Sequence, residues 1–319
     1  MAKLKVALYW AASCGGCEIS ILDIGAKILD FVEGAEIVFW PAAMDFKYAD
    51  VEAMEDNSID VTLFNGAIRT QENEDVARLL RKKSKILVAY GSCAHEGCIP
   101  GLANVTDRKG IFERAYGTTP TTKNPKGVRP QTKTKVPEGE LHLPEFYDTV
   151  KTLAQTVDVD YFVPGCPPTG EKTWEVLQAV LAGQLPEKGS VVGAGVKTVC
   201  DECPRTKNEK RIKEFHRPHM KIPEPNTCLL EQGIFCAGFA TRDGCGAQCI
   251  QVNMPCRGCY GPPPQVIDQG AKMVSALGSI IDAEDPEEIN RILDEIPNPI
   301  SYFYRFGLPL SILRRRIMK

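Results

Sequence analysis

Four pairs of closely spaced cysteines carry the strongest chemical signal in this sequence. The pairs are Cys14/Cys17, Cys200/Cys203, Cys245/Cys249 and Cys256/Cys259. Further cysteines bring the total to 13, and they are Cys93, Cys98, Cys166, Cys228 and Cys236. Thiolates at such spacings hold iron–sulfur clusters, and tetrahedral zinc sites use the same C-x-x-C pairs. The spacing therefore predicts metal binding, with iron–sulfur clusters as the main interpretation and zinc as the alternative.

Composition and charge describe an ordinary globular protein that does not depend on disulfide bonds. The 319 residues are 43% hydrophobic and 25% charged, and the net charge of −3 provides no basic surface for nucleic acid. No apolar run reaches the roughly 18 residues of a membrane helix. The first strand-like segment begins so close to Met1 that no secretory or twin-arginine leader is expected. We therefore predict a cytoplasmic protein without an integral membrane segment, whose reduced thiols are available to metals.

The elements that must position these thiols alternate between strands and helices in the first half of the chain. The predicted strands are 5–10, 35–40, 59–65, 85–90 and 160–163. The predicted helices are 18–33, 72–83, 146–156 and 171–182. This alternation predicts an α/β fold with a doubly wound parallel sheet. Four cysteines, at positions 14, 17, 93 and 166, follow predicted strands, so their loops should meet at one edge of the sheet.

Two other regions differ from this pattern. Residues 117–145 are rich in Pro, Thr, Lys and Gly. They are predicted to form an extended arm over a partner or the domain surface, with a mobile surface loop as the alternative.

Residues 196–264 hold eight cysteines, and we expect them to be organised by metal because they are too irregular to build a good apolar core. A final helix is predicted at 286–296. The predicted domains are 1–190 and 191–319.

Six short motifs in order resemble the small subunit of NiFe hydrogenases. They are WAASCGGCEIS, GSCA and PGCPPTGE in the first half, and CDECPR, CLLEQGIFCAG and CRGCYGPPP in the second. The resemblance covers essentially the whole chain. It implies a flavodoxin-like sheet domain followed by a mostly irregular iron–sulfur domain. The absence of a leader and the additional cysteines are similar to the cytosolic methanogen type, in particular to hydrogenases that do not reduce deazaflavin.

The resemblance also implies the ligands of three 4Fe-4S clusters. The proximal cluster falls on Cys14, Cys17, Cys93 and Cys166. The distal cluster falls on Cys200, Cys203, Cys228 and Cys236. The medial cluster falls on Cys245, Cys249, Cys256 and Cys259. Many family members have three medial cysteines and a 3Fe-4S centre, so four cysteines here imply a 4Fe-4S cluster of lower potential.

Two residues beside the proximal motifs have alternative interpretations. Cys98 lies five residues after Cys93 and is either a small non-ligand residue or an alternative ligand or redox-responsive thiol. The assignment of Cys93 rests on the resemblance, so an exchange with Cys98 stays open. Glu18 begins a predicted helix, where the helix dipole favours a carboxylate without any further role. Its functional interpretation is a proton relay close to the proximal cluster.

The function implied by the resemblance is electron transfer within a hydrogenase complex. A large partner subunit would hold the Ni–Fe centre, and this chain would hold none. Electrons would pass through the three clusters to a 2Fe-2S adaptor (delta) subunit and a flavin-containing heterodisulfide reductase complex. The alternatives are the small subunit of a deazaflavin-reducing hydrogenase or of a sulfhydrogenase. From a different class, an adaptor whose metals serve only structure is also possible.

Overall fold

Strands and helices alternate in the first half of the chain, whereas short helices and loops prevail in the second. The computed structural model describes residues 3–209 and 211–313. Its strands are β1 (Leu4–Trp10), β2 (Ala35–Phe39), β3 (Ile59–Asn65), β4 (Ile68–Thr70), β5 (Ser84–Tyr90), β6 (Lys133–Val136), β7 (Gly139–His142), β8 (Phe146–Lys151) and β9 (Tyr161–Val163). Its α-helices are α1 (Gly16–Leu22), α2 (Lys27–Gly34), α3 (Tyr48–Glu52), α4 (Gln71–Lys83), α5 (Ser92–Glu96), α6 (Cys98–Gly101), α7 (Arg108–Phe112), α8 (Gly170–Leu181), α9 (Val199–Glu202), α10 (Gln248–Gln251), α11 (Gln269–Gly278), α12 (Pro286–Asp294) and α13 (Pro299–Phe303).

A parallel sheet of five strands forms the centre of the first half. Its order is β2-β1-β3-β5-β9, and every neighbouring pair is parallel. Counted within the sheet, this is the order 2-1-3-4-5 of flavodoxin-like doubly wound folds. Side chains from alternate positions of β1 enter two different apolar clusters, which pack on opposite faces of the sheet. The predicted α/β class with a parallel sheet is confirmed.

The helix predicted over 18–33 consists of two helices. α1 ends at Leu22 and α2 begins at Lys27. Gly25 between them has φ 65°, a left-handed conformation that glycine adopts without a steric penalty and that ends helical geometry. The apolar spacing continues across the break because both helices pack on the same face of the sheet, so the sequence pattern alone did not reveal it.

The helix predicted over 146–156 was wrong. Residues Phe146–Lys151 form strand β8, which pairs antiparallel with β4, and a short 3-10 turn follows at Leu153–Gln155. The segment contains aromatic and β-branched residues, which fit a pleated, half-buried strand. The backbone of Val150 also exchanges two hydrogen bonds with the Asn104 side chain, at 2.8 and 2.9 Å. Because β4 and Asn104 are distant in sequence from β8, the apolar spacing within residues 146–156 wrongly indicated a helix.

The arm at 117–145 contains regular structure that its composition did not predict. β6 and β7 form an antiparallel hairpin whose register runs from Lys133↔His142 to Val136↔Gly139. An ion pair between Arg129 and Glu113 connects the arm to the preceding segment. Together with α4, the arm encloses a cavity of about 1490 Å³. The arm therefore lies over the surface of its own domain, which is one of the two placements predicted for it.

The second half of the chain has an apolar core of its own, contrary to expectation. Val199, Leu229, Ile234 and other buried side chains of the irregular segment pack with residues of α11 and α12.

The helix predicted at 286–296 is present as α12, with the Asp285 side chain accepting a hydrogen bond from the backbone of Glu288 at 3.0 Å. The domain boundary near residue 190 stays a prediction. In the described ranges no helix has the length and apolar character needed to cross a membrane.

Candidate metal centres

The first group of thiols lies on three loops at the carboxyl edge of the sheet. Cys14 and Cys17 follow β1, Cys93 lies in α5 after β5, and Cys166 follows β9. Burial raises the pKa of Cys17, and the nearby thiols of Cys166 and Cys14 raise it further. Gly91 has φ 84°, and a Cβ at this position would lie 2.3 Å from Sγ of Cys17. The topology therefore brings these loops together, as predicted from the positions of the strands.

A fifth thiol, Cys98, belongs to the same neighbourhood. Its Sγ lies 3.7 Å from Sγ of Cys166, and its side chain is fully buried. The hydrogen bond with Cys166 lowers the pKa of Cys98, but contact with Cys93 and burial outweigh it, so the net pKa is raised. The backbone φ of 45° is left-handed, which is unusual for a residue with a side chain. The choice of Cys93 over Cys98 as a ligand stays a prediction.

The second group contains the four thiols assigned to the distal cluster. Burial, together with the nearby thiols of Cys236, Cys228 and Cys203, raises the pKa of Cys200 to about 12. Burial likewise raises the pKa of Cys236 to about 11. Cys200 lies in α9, which begins where the backbone of Thr198 donates a hydrogen bond to Asp201 at 2.8 Å. These mutual influences on pKa mean that the four thiols lie close together.

The third group contains the thiols assigned to the medial cluster. Burial raises the pKa of Cys245 to about 11, and Glu202 and Cys249 contribute to the rise. Burial raises the pKa of Cys259 to about 12, with contributions from Cys245 and Cys249. Burial raises the pKa of Cys256, and the nearby thiols of Cys236 and Cys259 raise it further. Cys245 lies just before α10, Cys249 lies within it, and Cys256 and Cys259 lie in the loop that follows it.

The three groups are neighbours in a definite order. Burial raises the pKa of Cys259 in the third group, and Cys166 of the first group contributes to the rise. Ser92, next to Cys93, donates a hydrogen bond to the Cys259 carbonyl at 2.5 Å. The backbone N–H of Cys256 donates to Sγ of Cys236 in the second group at 3.3 Å. The medial thiols therefore lie between the proximal and the distal thiols.

The donor chemistry of these groups fits iron–sulfur clusters. All 13 cysteines are free thiols rather than disulfides. Within residues 3–209 and 211–313, no three His, Cys, Asp or Glu side chains are grouped so that they could enclose a single metal ion. Four thiolates per group is the number that a 4Fe-4S cluster requires. Bound iron would stabilise the thiolate form, against the burial and the neighbouring thiols that raise the pKa of Cys200 and Cys245.

Glu18 is buried beside the first group. It lies in the first turn of α1, and its carboxylate accepts hydrogen bonds from the indole N–H of Trp40 and from Asn65, the latter at 3.5 Å. Burial raises the pKa of Glu18, although both hydrogen bonds lower it in part. The carboxylate is thus held by specific partners as well as by the helix dipole, and its role as a proton relay stays a prediction.

Two polar residues that the sequence reasoning missed support the third group. The Glu202 carboxylate accepts hydrogen bonds from the backbone N–H groups of Gly244 and Ala247, at 3.0 and 3.1 Å. The Gln269 amide donates to the carbonyl oxygens of Ala240 and Gly258, at 3.2 and 3.1 Å. Both side chains fix the loops that carry the medial thiols. Glu202 was detectable as an acid within a C-x-x-C pair, whereas nothing in the sequence distinguished Gln269.

The comparison with protein families gives a match over the first half of the chain. Residues 14–180 match the family described as NADH ubiquinone oxidoreductase, 20 Kd subunit. This span begins at Cys14 and includes Cys166, so it contains the whole first group of thiols.

Comparisons with individual proteins extend over the second half. The chain is 42% identical to an iron-sulfur subunit of the F420-non-reducing hydrogenase of Archaeoglobus profundus, over 99% of both chains. It is 38% identical to a subunit of the F420-non-reducing hydrogenase of Methanothermobacter marburgensis, over 99% of this chain and 98% of that protein. Among solved structures, a chain of an NAD+-reducing [NiFe]-hydrogenase in the H2-reduced state is similar, with 30% identity and a TM-score of 0.50. That match covers 58% of this chain and 95% of the other.

Proposed function

This chain belongs to the NADH ubiquinone oxidoreductase 20 Kd subunit family, and within it to the small subunits of NiFe hydrogenases, and we propose on that premise that it relays electrons through three 4Fe-4S clusters. The observation that carries the proposal is the order of the three thiol groups. Cys166 is close to Cys259, and Cys256 is close to Cys236. Electron transfer along a series of clusters requires that the ligands of successive clusters lie next to one another.

The proposed ligands are the proximal, medial and distal sets predicted from the sequence. When bound, the clusters supply reversible one-electron transfer, and the protein supplies their spacing and electrostatic surroundings. Gly91 leaves room beside Cys17, and Glu202 fixes the medial loop through two backbone amides. These residues hold the ligand loops in place, so the protein itself contributes fixed positions for the cluster ligands.

The partner proposed to hold the Ni–Fe centre is the large subunit. Three large apolar side chains on and beside α1 are exposed, namely Trp10 (46%), Ile19 (56%) and Leu22 (49%). Apolar groups gathered on one face commonly mark a protein interface. We propose that this face docks the large subunit beside the proximal thiols, with the buried Glu18 close to the contact.

The proposed acceptor is a 2Fe-2S adaptor subunit followed by a heterodisulfide reductase complex, in the cytoplasm. What supports this choice is the description of both relatives as F420-non-reducing, since an acceptor other than that deazaflavin is then required. Co-purification from cells tests the proposal directly. Recovery of the adaptor and the reductase with this chain supports it, whereas recovery of a flavin subunit alone favours a deazaflavin-reducing hydrogenase or a sulfhydrogenase.

Metal and sulfide analysis tests the clusters themselves. We expect about twelve irons and as many acid-labile sulfides per chain, because three cubanes contain four of each. Zinc without sulfide would instead identify an adaptor with structural metals. Electron paramagnetic resonance of the oxidised complex should lack a 3Fe-4S signal, because the medial set has four cysteines. A strong oxidised 3Fe-4S signal would contradict the assignment of that set.

A further inference from the structure

A cavity with cationic walls lies in the second half of the chain, outside the thiol groups. Its volume is about 580 Å³, within the range of small-molecule pockets. Its positive or protonatable lining residues are Arg217, His219, Arg257 and Arg305. Met254 and Tyr302 contribute apolar surface, and no Asp or Glu is among the described residues that line it. We call this cavity the arginine pocket.

The arginines of the pocket are not neutralised by the described part of the chain. Arg257 lies over the ring of Tyr302 at 5.2 Å, and Nε of Arg305 donates to the Ser301 carbonyl at 3.1 Å. None of the ion pairs formed among the described residues includes Arg217, Arg257 or Arg305. Half-buried cations of like sign are costly unless an anion accompanies them.

The pocket also lies beside the third thiol group. Arg257 directly follows Cys256 of that group, and the backbone N–H of Cys256 donates to Sγ of Cys236 in the second group at 3.3 Å. An anion bound in the pocket would therefore reduce the positive potential near these thiols.

We propose that the arginine pocket binds an oxyanion, either a carboxylate or a phosphate group. Guanidinium groups match both anions because their planar N–H donors can form two parallel hydrogen bonds. The apolar walls at Met254 and Tyr302 favour a ligand with an organic body. Two sources share this chemistry: a free anion in solution, or an acidic segment of another subunit of the complex.

The first experiment measures binding of inorganic phosphate to the purified holocomplex by calorimetry. We compare Arg217→Gln and Arg305→Gln with Lys272→Gln, an exposed lysine that does not line the pocket. Loss of one charge-assisted contact should weaken phosphate binding about ten-fold in the two arginine variants and leave the lysine control unchanged. Iron content per chain checks that each variant is folded and loaded, and it also separates failure of this inference from failure of the cluster assignment.

The second experiment detects a resident acidic segment. If the segment occupies the pocket, phosphate will not bind to the intact complex, but the arginine variants will lose a subunit at lower salt than the wild type and Lys272→Gln. That result supports the proposal with a protein carboxylate as the anion. The proposal is overturned if phosphate fails to bind and salt tolerance is unchanged. It is equally overturned if phosphate binds with the same affinity to the wild type and the arginine variants.

Discussion

At the residue scale, Cys93 and Cys98 differ in backbone conformation although both lie near the proximal ligands. Cys93 lies in the helix α5, whereas Cys98 has a left-handed φ of 45° and donates its backbone N–H to the Phe306 carbonyl at 2.8 Å. Cys98 is therefore held by the C-terminal segment, and its thiol contacts Cys166 from the interior of the protein. Both cysteines thus lie beside the other proximal thiols, and the assignment of Cys93 as the ligand, with Cys98 as a non-ligand residue, stays a prediction.

The first prediction distinguishes the two cysteines as ligands. Cys93→Ala should lose the proximal cluster, which is about four of about twelve irons, because a cubane needs four thiolates. Cys98→Ala should retain all of them, since it removes only a buried contact. Iron content and the proximal electron paramagnetic resonance signal provide the measurement. The reverse pattern would show that Cys98 is the ligand.

A second residue-scale prediction concerns Glu18. Glu18→Gln preserves the size of the side chain and its contact with Trp40 but removes the exchangeable carboxyl proton. If the carboxylate relays protons, hydrogen oxidation by the holocomplex should fall by about a hundred-fold or more. The cluster signals should stay unchanged, which serves as the control for assembly. A variant with normal turnover would leave Glu18 with only its structural role in α1.

At the element scale, a single carboxylate connects the start of β9 to β5, to α4 and to the segment after α8. Asp160 precedes β9 and accepts hydrogen bonds from Arg81 at 2.6 Å, from Lys188 at 2.6 Å and from the backbone of Leu87 at 2.8 Å. Burial raises the pKa of Asp160, but these three partners lower it by more, so the net pKa lies below the usual value. This matters for function because β9 leads directly to the loop of Cys166.

The third prediction is that Asp160→Asn loosens this edge of the sheet. Loss of charge-assisted hydrogen bonds should cost about 1–3 kcal/mol locally, so the amides of β9 should exchange hydrogen about ten-fold faster. Asp56→Asn is the matched control, because Asp56 is an exposed carboxylate whose ion pairs with Lys82 and Lys83 are weakened by solvent, so the β9 amides should exchange at the wild-type rate. Hydrogen-exchange mass spectrometry of the complex measures both.

The pH dependence of the Asp160 effect follows from its lowered pKa. The native carboxylate stays ionised at every pH above its usual pKa of 3.8. The difference between wild type and Asp160→Asn should therefore be equal at pH 6 and pH 8. It should disappear only as the pH falls through the lowered native pKa. A difference that changes between pH 6 and pH 8 would indicate that another group controls the exchange.

At the scale of the whole molecule, the proposed docking face for the large subunit is the apolar surface around α1. Ile19 is exposed on α1, two residues from the buried Cys17. α1 itself carries Cys17, one of the proximal thiols at the carboxyl edge of the sheet. A large subunit docked there would thus lie next to the first of the three groups.

The fourth prediction tests this docking face. Ile19→Glu should weaken association with the large subunit by at least about ten-fold, because an interface rarely accommodates an unpaired buried charge. Leu293→Glu on α12 is the control, since it places the same charge at an exposed apolar position in the second half of the chain. Co-purification and titration of the two subunits measure the effect. Equal behaviour of the two variants would place the interface elsewhere.

Much of the candidate site could be predicted from the sequence, because ligation depends on residue type and short-range spacing. The C-x-x-C pairs and the strands preceding Cys93 and Cys166 are local features, and the α/β alternation predicted a shared loop edge. Segments whose conformation depends on distant partners were predicted less well. β8 was mistaken for a helix because its pairing partner β4 and its anchor Asn104 lie more than 40 residues away.

The sequence by itself thus determined the family resemblance and the class of the fold and predicted the metal chemistry, because all three follow from local residue patterns. Only the tertiary structure decided which groups are neighbours across the chain. Cys98 meets Cys166 over a separation of 68 residues, and Cys256 meets Cys236 in the packed core of the second half. The arginine pocket assembles from three separate segments. These contacts depend on how the helices, strands and loops pack. Burial of a side chain and its distance from other charges are properties of the folded chain, and the spacing of residues in the sequence does not give them.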